Sequence, residues 1–229
     1  MRYSIHMNTV NNTEKSVKAF ATVTFEDRFQ VRNIAVVENR DGVAFVSMPA
    51  FKSKERTEHN EAVYKEVCNP ITSEFRSQLY EDILGMYEEM VMRKEKEMES
   101  YVKYPEELNF SVAVSIFERP NSNILGLARI YLDDSFVINN VSILKGKERE
   151  FVAMPSYIAR QAVGNSPARY QDICYPVTKE FREKLYSEIL DAYKIEKEKG
   201  KGVQEQSRAG NPRNARNSSP DRRRDYPFR

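Results

Sequence analysis

The feature that most constrains this chain is an internal repeat. Cys68-Asn-Pro-Ile-Thr-Ser-Glu-Phe-Arg-Ser-Gln-Leu-Tyr80 returns as Cys174-Tyr-Pro-Val-Thr-Lys-Glu-Phe-Arg-Glu-Lys-Leu-Tyr186, an offset of 106 residues. Carried on to Tyr87 and Tyr193, the match gives 11 identities in 20 positions without a gap. Upstream, Phe45-Val-Ser-Met-Pro49 pairs with Phe151-Val-Ala-Met-Pro155 and Tyr64 with Tyr170 at the same offset. Further back the offset becomes 107, aligning Phe25-Glu-Asp-Arg-Phe29 with Leu132-Asp-Asp-Ser-Phe136. Self-similarity at this scale means two copies of one unit, so one architecture must explain both halves.

Each copy reads as strands followed by a helix. Lys18 to Phe25 and Phe29 to Val37 are β-branched and aromatic runs split by Glu-Asp-Arg, which suits a hairpin, and Val43 to Met48 is a third strand closed by Pro49. The second copy repeats them at Leu127 to Leu132, Phe136 to Leu144 and Glu150 to Met154. Earlier strands precede both sets, at Tyr3 to Val10 and Phe110 to Phe117, and the short spacings favour antiparallel pairing. The helix starts behind Thr72 as N-cap with Glu74 in its first turn, mirrored by Thr178 and Glu180. Phe75, Leu79, Ile83, Met86 or Tyr87, and Met90 then form an apolar stripe that covers one face of the sheet.

The expected fold is therefore α+β: a tandem repeat of an antiparallel β-sheet followed by a C-terminal α-helix, forming a pseudo-dimer. The expected divisions are repeat 1 at 1–90, a charged helical linker at 91–107, repeat 2 at 108–195 and a basic disordered tail at 196–229. Pairs at i,i+4, Glu89 with Arg93 and Glu99 with Lys103, support the linker as a polar rod ended by Pro105, holding the copies at a set separation.

Charge is unevenly placed. The net is +2, but residues 197–229 hold ten Lys and Arg against four Asp and Glu, which leaves residues 1–196 at −4. From Gln204 onward the chain has almost no aliphatic residues, a composition that cannot offset the entropy of ordering. No run approaches the roughly 20 apolar residues of a membrane span, and Met1 to Val10 lacks a signal-peptide core, so a cytoplasmic protein without membrane contact is expected. With two cysteines, Cys68 and Cys174, and two histidines, His6 and His59, there is little material for zinc sets or Cys/His catalysis. No cofactor, metal or enzymatic activity is expected.

The string Phe151-Val-Ala-Met-Pro-Ser156, followed by Asp172-Ile-Cys-Tyr-Pro176, resembles the SpoVG family of bacterial proteins. Lys18 to Phe25, Phe29 to Ile34 and the helix arginines Arg76 and Arg182 also fit that pattern. The resemblance covers roughly 1–90 and 108–195. It implies a small dimeric regulator that binds DNA or RNA and is linked to septation and sporulation, and a tandem copy of it implies a monomeric pseudo-dimer. The sequence departs from the family where the basic pair after Met-Pro becomes Ala50-Phe51-Lys52 and Ser156-Tyr157-Ile158. The segment after Met-Pro is also longer, and the family's pre-helix His is replaced by Asn69 and Tyr175.

Candidate nucleic-acid contacts are Arg76 and Arg182 on the helices, Lys52, Lys54 and Arg56 in the first long loop, and Arg160 and Arg169 in the second. Arg213, Arg216, Arg222, Arg223 and Arg224, with Tyr226 and Phe228, add a basic and aromatic tail. Phosphate binding needs such cations to converge on one face. The alternative is solvated surface charge, with Arg76 and Arg182 paired to Asp82 or Glu183, in a protein-protein interaction module without nucleic-acid binding. Tyr64 and Tyr170 are either stacking or core residues, and the two cysteines are read as filling a sheet-to-helix corner.

Overall fold

A computed structural model describes residues 1–10, 16–117, 122–160 and 169–209. Repeat 1 contributes β1 (Tyr3–Thr9), β2 (Val17–Phe25), β3 (Phe29–Glu38), β4 (Ala44–Ser47), β5 (Ala50–Arg56), β6 (Ala62–Glu66), β7 (Cys68–Pro70) and helix α1 (Ser73–Arg93). The short β8 (Glu97–Glu99) follows. Repeat 2 contributes β9 (Phe110–Ile116), β10 (Ile124–Leu132), β11 (Phe136–Lys145), β12 (Glu150–Ala153), β13 (Ser156–Arg160), β14 (Arg169–Asp172), β15 (Cys174–Pro176) and α2 (Lys179–Ala209).

The hairpin turns explain the register. Glu26 and Asp27 both hold positive φ (45° and 53°), as do Asp133 and Asp134 (43° and 48°). Each pair sits at the centre of a turn closed at 2.9 Å, by Arg28 N–H to Phe25 O and Ser135 N–H to Leu132 O, inside a three-residue connection whose twist suits antiparallel strands. Beyond it, Asn33 (φ 61°) and Asn140 (φ 58°) sit where β3 and β11 step out of register with β2 and β10. Asn tolerates the left-handed region better than most residues, so the irregularity is encoded at the same place in both copies.

The two copies interlock by exchanging strands. Repeat 2's β15 pairs with repeat 1's β3 (Cys174 opposite Val31, Pro176 opposite Phe29), and β7 pairs with β11 (Cys68 opposite Ile138, Pro70 opposite Phe136). The flanking hydrogen bonds are reciprocal. Arg32 N–H donates to Ile173 O and Asn139 N–H to Val67 O, both at 2.7 Å; Val177 N–H donates to Arg28 O at 2.7 Å and Ile71 N–H to Ser135 O at 2.9 Å. One repeat thus completes the other's sheet, giving the isologous geometry of a twofold dimer within one chain. Phe25 and Phe136 meet across this boundary with centroids 4.9 Å apart, and a single apolar core draws on both copies.

Each helix covers its own sheet. Thr72 caps α1 through Phe75 N–H, Thr178 does the same for Phe181, and Phe75, Leu79, Ile83 and Met90 are buried. The expected helical linker is corrected here. Helix α1 ends at Arg93; Lys94 takes the left-handed conformation, and its N–H reaches the carbonyls of Met90 and Val91. The Glu89–Arg93 pair forms, but Glu99 lies in β8 against β1 and accepts a bond from Tyr101 Oη. Pairing with an open sheet edge satisfies backbone groups that a solvated rod would leave to water, so the segment folds onto repeat 1 and does not space the copies apart. Its later part is tied down by buried Glu26, whose carboxylate accepts the N–H groups of Arg2 and Glu106. At the other end, α2 runs to Ala209, so residues 196–209 are helical where disorder was expected. The rest of the expected tail lies outside the described residues.

Candidate nucleic-acid interface

The long segments after Met48-Pro49 and Met154-Pro155, expected as loops, are two-stranded arms. β5 pairs with β6 and β13 with β14, each separate from the main sheets. In the first arm Lys52 stands opposite Tyr64 and Arg56 opposite Ala62; the turn closes through Thr57, which accepts Glu61 N–H on Oγ1 at 3.0 Å. Lys52, Arg56 and Tyr64 are exposed, Tyr64 at 66%. In the second arm Ile158 stands opposite Tyr170, and Arg160 opposite Arg169. Tyr170 is 64% exposed, so both arm tyrosines project from the body and are not core residues. Lys54 and Arg160 occupy equivalent strand positions. The cations of the tail, Arg213, Arg216 and Arg222 to Arg224, lie outside the described residues.

The roots of the two arms lie close together at the exchanged strands. Tyr157 of the second arm lines a groove of about 310 Å³ together with Asn33, Ala35, Met48, Pro49 and Ala50, the root of the first arm. Val67 N–H donates to Pro49 O at 2.7 Å and Ile173 N–H to Pro155 O at 2.8 Å, pinning both roots identically.

The helix arginines are held by backbone carbonyls. Arg76 Nη2 donates to Pro70 O at 2.9 Å, and Arg182 Nη2 to Pro176 O at 3.2 Å. The pairing with Asp82 or Glu183 considered above gives way to this backbone contact, because the last carbonyl of each exchanged strand is the nearer acceptor. Asp82 instead accepts Tyr3 Oη at 2.6 Å, and Glu183 pairs with Lys179.

Sequence reasoning missed Arg32. Its guanidinium lies 4.7 Å over the Tyr175 ring, donates to Gln30 Oε1 at 3.0 Å through Nε, and reaches Tyr175 Oη through Nη2. Tyr175 Oη in turn donates to Gln30. Nearby Asp172 has its pKa raised by burial, against the lowering pull of Arg182 and Arg32. The only advance signal was that Tyr175 replaces a residue the family pattern gives as His.

Cys68 and Cys174 are fully buried in the exchanged strands that lead into α1 and α2. Burial holds both thiols well above their usual pKa; the Cys174 and Glu66 charges add to this at Cys68, and Asp172 at Cys174. A thiolate nucleophile is disfavoured in such a place. Among the described residues, no helix is long and apolar enough to cross a membrane.

The architecture defines a single-chain pseudo-dimer: two sheet-plus-helix modules locked by reciprocal strand exchange, each carrying a hairpin arm. The SpoVG family model matches residues 2–89 and 109–195, and the chain belongs to the SpoVG family. Similar proteins named septation protein SpoVG come from Finegoldia magna, 33% identical over 84 residues (37% of this chain, 72% of the relative), and Treponema denticola, 33% over 84 residues (37% and 83%). A third, from a Thermoanaerobacter species, is 36% identical over 89 residues (39% of this chain, 84% of the relative). Each alignment spans about one repeat of this chain and most of the relative, which accords with a duplicated unit.

Proposed function

We propose that this chain is a non-enzymatic, cytoplasmic regulator that binds DNA or RNA as a built-in dimer and serves septation and sporulation. The adjacency of the two arm roots, with exposed cations and tyrosines on both arms, carries the reading. The roots of the two hairpins meet, and Lys52, Arg56 and Tyr64 are exposed on one arm and Arg169 and Tyr170 on the other. Cations for phosphates and exposed tyrosines for base stacking are the two elements of single-strand recognition. The Arg-rich residues 213–229 add a sequence-tolerant electrostatic contribution. The process is taken from the names of the relatives and the family resemblance.

Fluorescence anisotropy on DNA and RNA at graded salt tests the proposal, using the full chain and a chain ending at residue 209. Affinity should fall as salt rises, and Lys52→Glu with Arg56→Glu should lower the log-log slope by about one per lost phosphate contact. Absence of salt-dependent binding to either polymer would refute it. The net −4 of residues 1–196 and the loss of the family's basic pair favour a second reading, a protein-interaction module. Partner capture that survives nuclease treatment, alongside failed anisotropy, would support that reading instead.

A further inference from the structure

The two repeats differ most at the outer edges of their sheets. In repeat 1 that edge is closed. Once Lys94 (φ 55°, ψ 34°) stops α1, the chain turns back and Glu97, Met98 and Glu99 pair with Asn8, Met7 and His6. Thr9 N–H donates to Lys96 O at 2.9 Å and Ser100 N–H to Ile5 O at 2.8 Å. Met98 packs against the core, and Ile5 and Met7 beneath are 3% and 0% exposed.

The equivalent edge of repeat 2 is β9, and among the described residues no strand pairs with its outer side. The register of β9 on β10 repeats that of β1 on β2, so Val112 and Val114 stand where Ile5 and Met7 do, yet they are only half-buried. A groove of about 690 Å³ runs beside them, bounded by Phe110 and Val112 on β9 and by Ser187, Asp191 and Ile195 on α2. Ser111-Val-Ala-Val-Ser115 carries no charge and no proline, the devices by which exposed edges are normally protected.

The sequence supplies an occupant. At the 106-residue offset Gly200 falls on Lys94, the left-handed stop of α1, and Val203-Gln-Glu205 falls on Glu97-Met-Glu99. Glycine suits that conformation better than lysine does. Inside α2, by contrast, Gly200 and Gly202 weaken the helix they sit in. We propose that β9 is a strand acceptor, and that its occupant is this chain's own Gly202–Glu205 segment, released when α2 stops at Gly200, closing the second sheet as β8 closes the first. Docking would also move the origin of the Arg-rich residues 210–229 from the far end of α2 to the sheet edge.

Disulfide trapping in the full chain tests this. His6 stands opposite Glu99, so Ala113→Cys with Glu205→Cys places two thiols opposite each other in the docked state, on a face where Ala113 is exposed. Mild oxidation at low protein concentration should give an intramolecular bond, at least about tenfold faster than the off-register pair Ser111→Cys with Glu205→Cys. Adding Gly200→Ala and Gly202→Ala, which favour continuous helix, should slow closure by about tenfold or more. Equal rates for the two pairs, or no effect of the alanines, would overturn the proposal. So would disulfides formed only between chains, which would assign the edge to a second copy.

Discussion

At one junction between the repeats Arg32 lies over Tyr175 and both bond Gln30; at the other, the same backbone positions hold Asn139, Asn69 and Val137. The Asn139 side chain makes a long 3.5 Å contact to Glu66 O, and Val137 is 6% exposed. The main-chain bonds nevertheless match pair for pair, down to the 2.7 Å bonds donated by Arg32 and Asn139. Backbone exchange and the apolar residues beneath it therefore carry the assembly. Side chains above the exchanged strands are free to diverge, and in one junction they have become a polar network.

The largest effects lie beneath the exchanged strands. Phe29 and Phe136 are equivalent, fully buried, and each faces the proline of the other copy's exchanged strand. Changing either to Ala should cost about 3–5 kcal/mol, with similar losses and one cooperative transition in chemical denaturation. Unequal losses in two separate transitions would mean that the copies fold independently. Above the strands the effects should be smaller and one-sided: Arg32→Ala should cost about 1–2 kcal/mol and Asn139→Ala about 0.5 or less by the same measurement. Equal costs would remove the distinction between the junctions.

The helices offer a milder contrast. Tyr193 of α2 is 2% exposed and its hydroxyl has no hydrogen-bond partner among the described residues, whereas its counterpart Tyr87 is half-buried. Tyr193→Phe should raise stability by up to about 1 kcal/mol, and Tyr87→Phe should leave it nearly unchanged. The smallest effect concerns Asp172. Its raised pKa means that the folded state binds its proton more tightly than the unfolded chain does. The associated stabilisation is therefore present in acid, below the ordinary carboxylate pKa, and is lost as pH rises through the raised value. Asp172→Asn should accordingly be slightly more stable than the parent at neutral pH, with the gap closing in acid. A variant less stable at neutral pH would show that Arg32 and Arg182 outweigh the cost of burial.

Much of the fold was legible because its signals are local and doubled. The Glu26-Asp27 turn, the Thr72 and Thr178 caps and the Phe75-Leu79-Ile83 stripe each recur at a fixed offset, so each copy checked the other. The exchanged strands were not legible. Cys-Asn-Pro and Cys-Tyr-Pro are three residues long, too short for an alternation pattern, and their partners lie in the other copy. The stop of α1 was hidden because a lysine holds a position that usually announces itself with glycine, while charge pairs suggested a longer helix. Of the candidate site, the arm residues were found as a basic and aromatic set, but their strand pairing was not, since charges interrupt the apolar rhythm of β5. Arg76 and Arg182 looked like free cations because their acceptor is a backbone carbonyl, which carries no side-chain signature.

Both halves of the twofold assembly reside in one chain. Sedimentation equilibrium of the full chain over a wide concentration range tests it most directly. Reciprocal exchange within the chain predicts a single species of 26.7 kDa throughout; a stable species of twice that mass at the lowest concentrations would show that the strands are exchanged between chains and contradict the account.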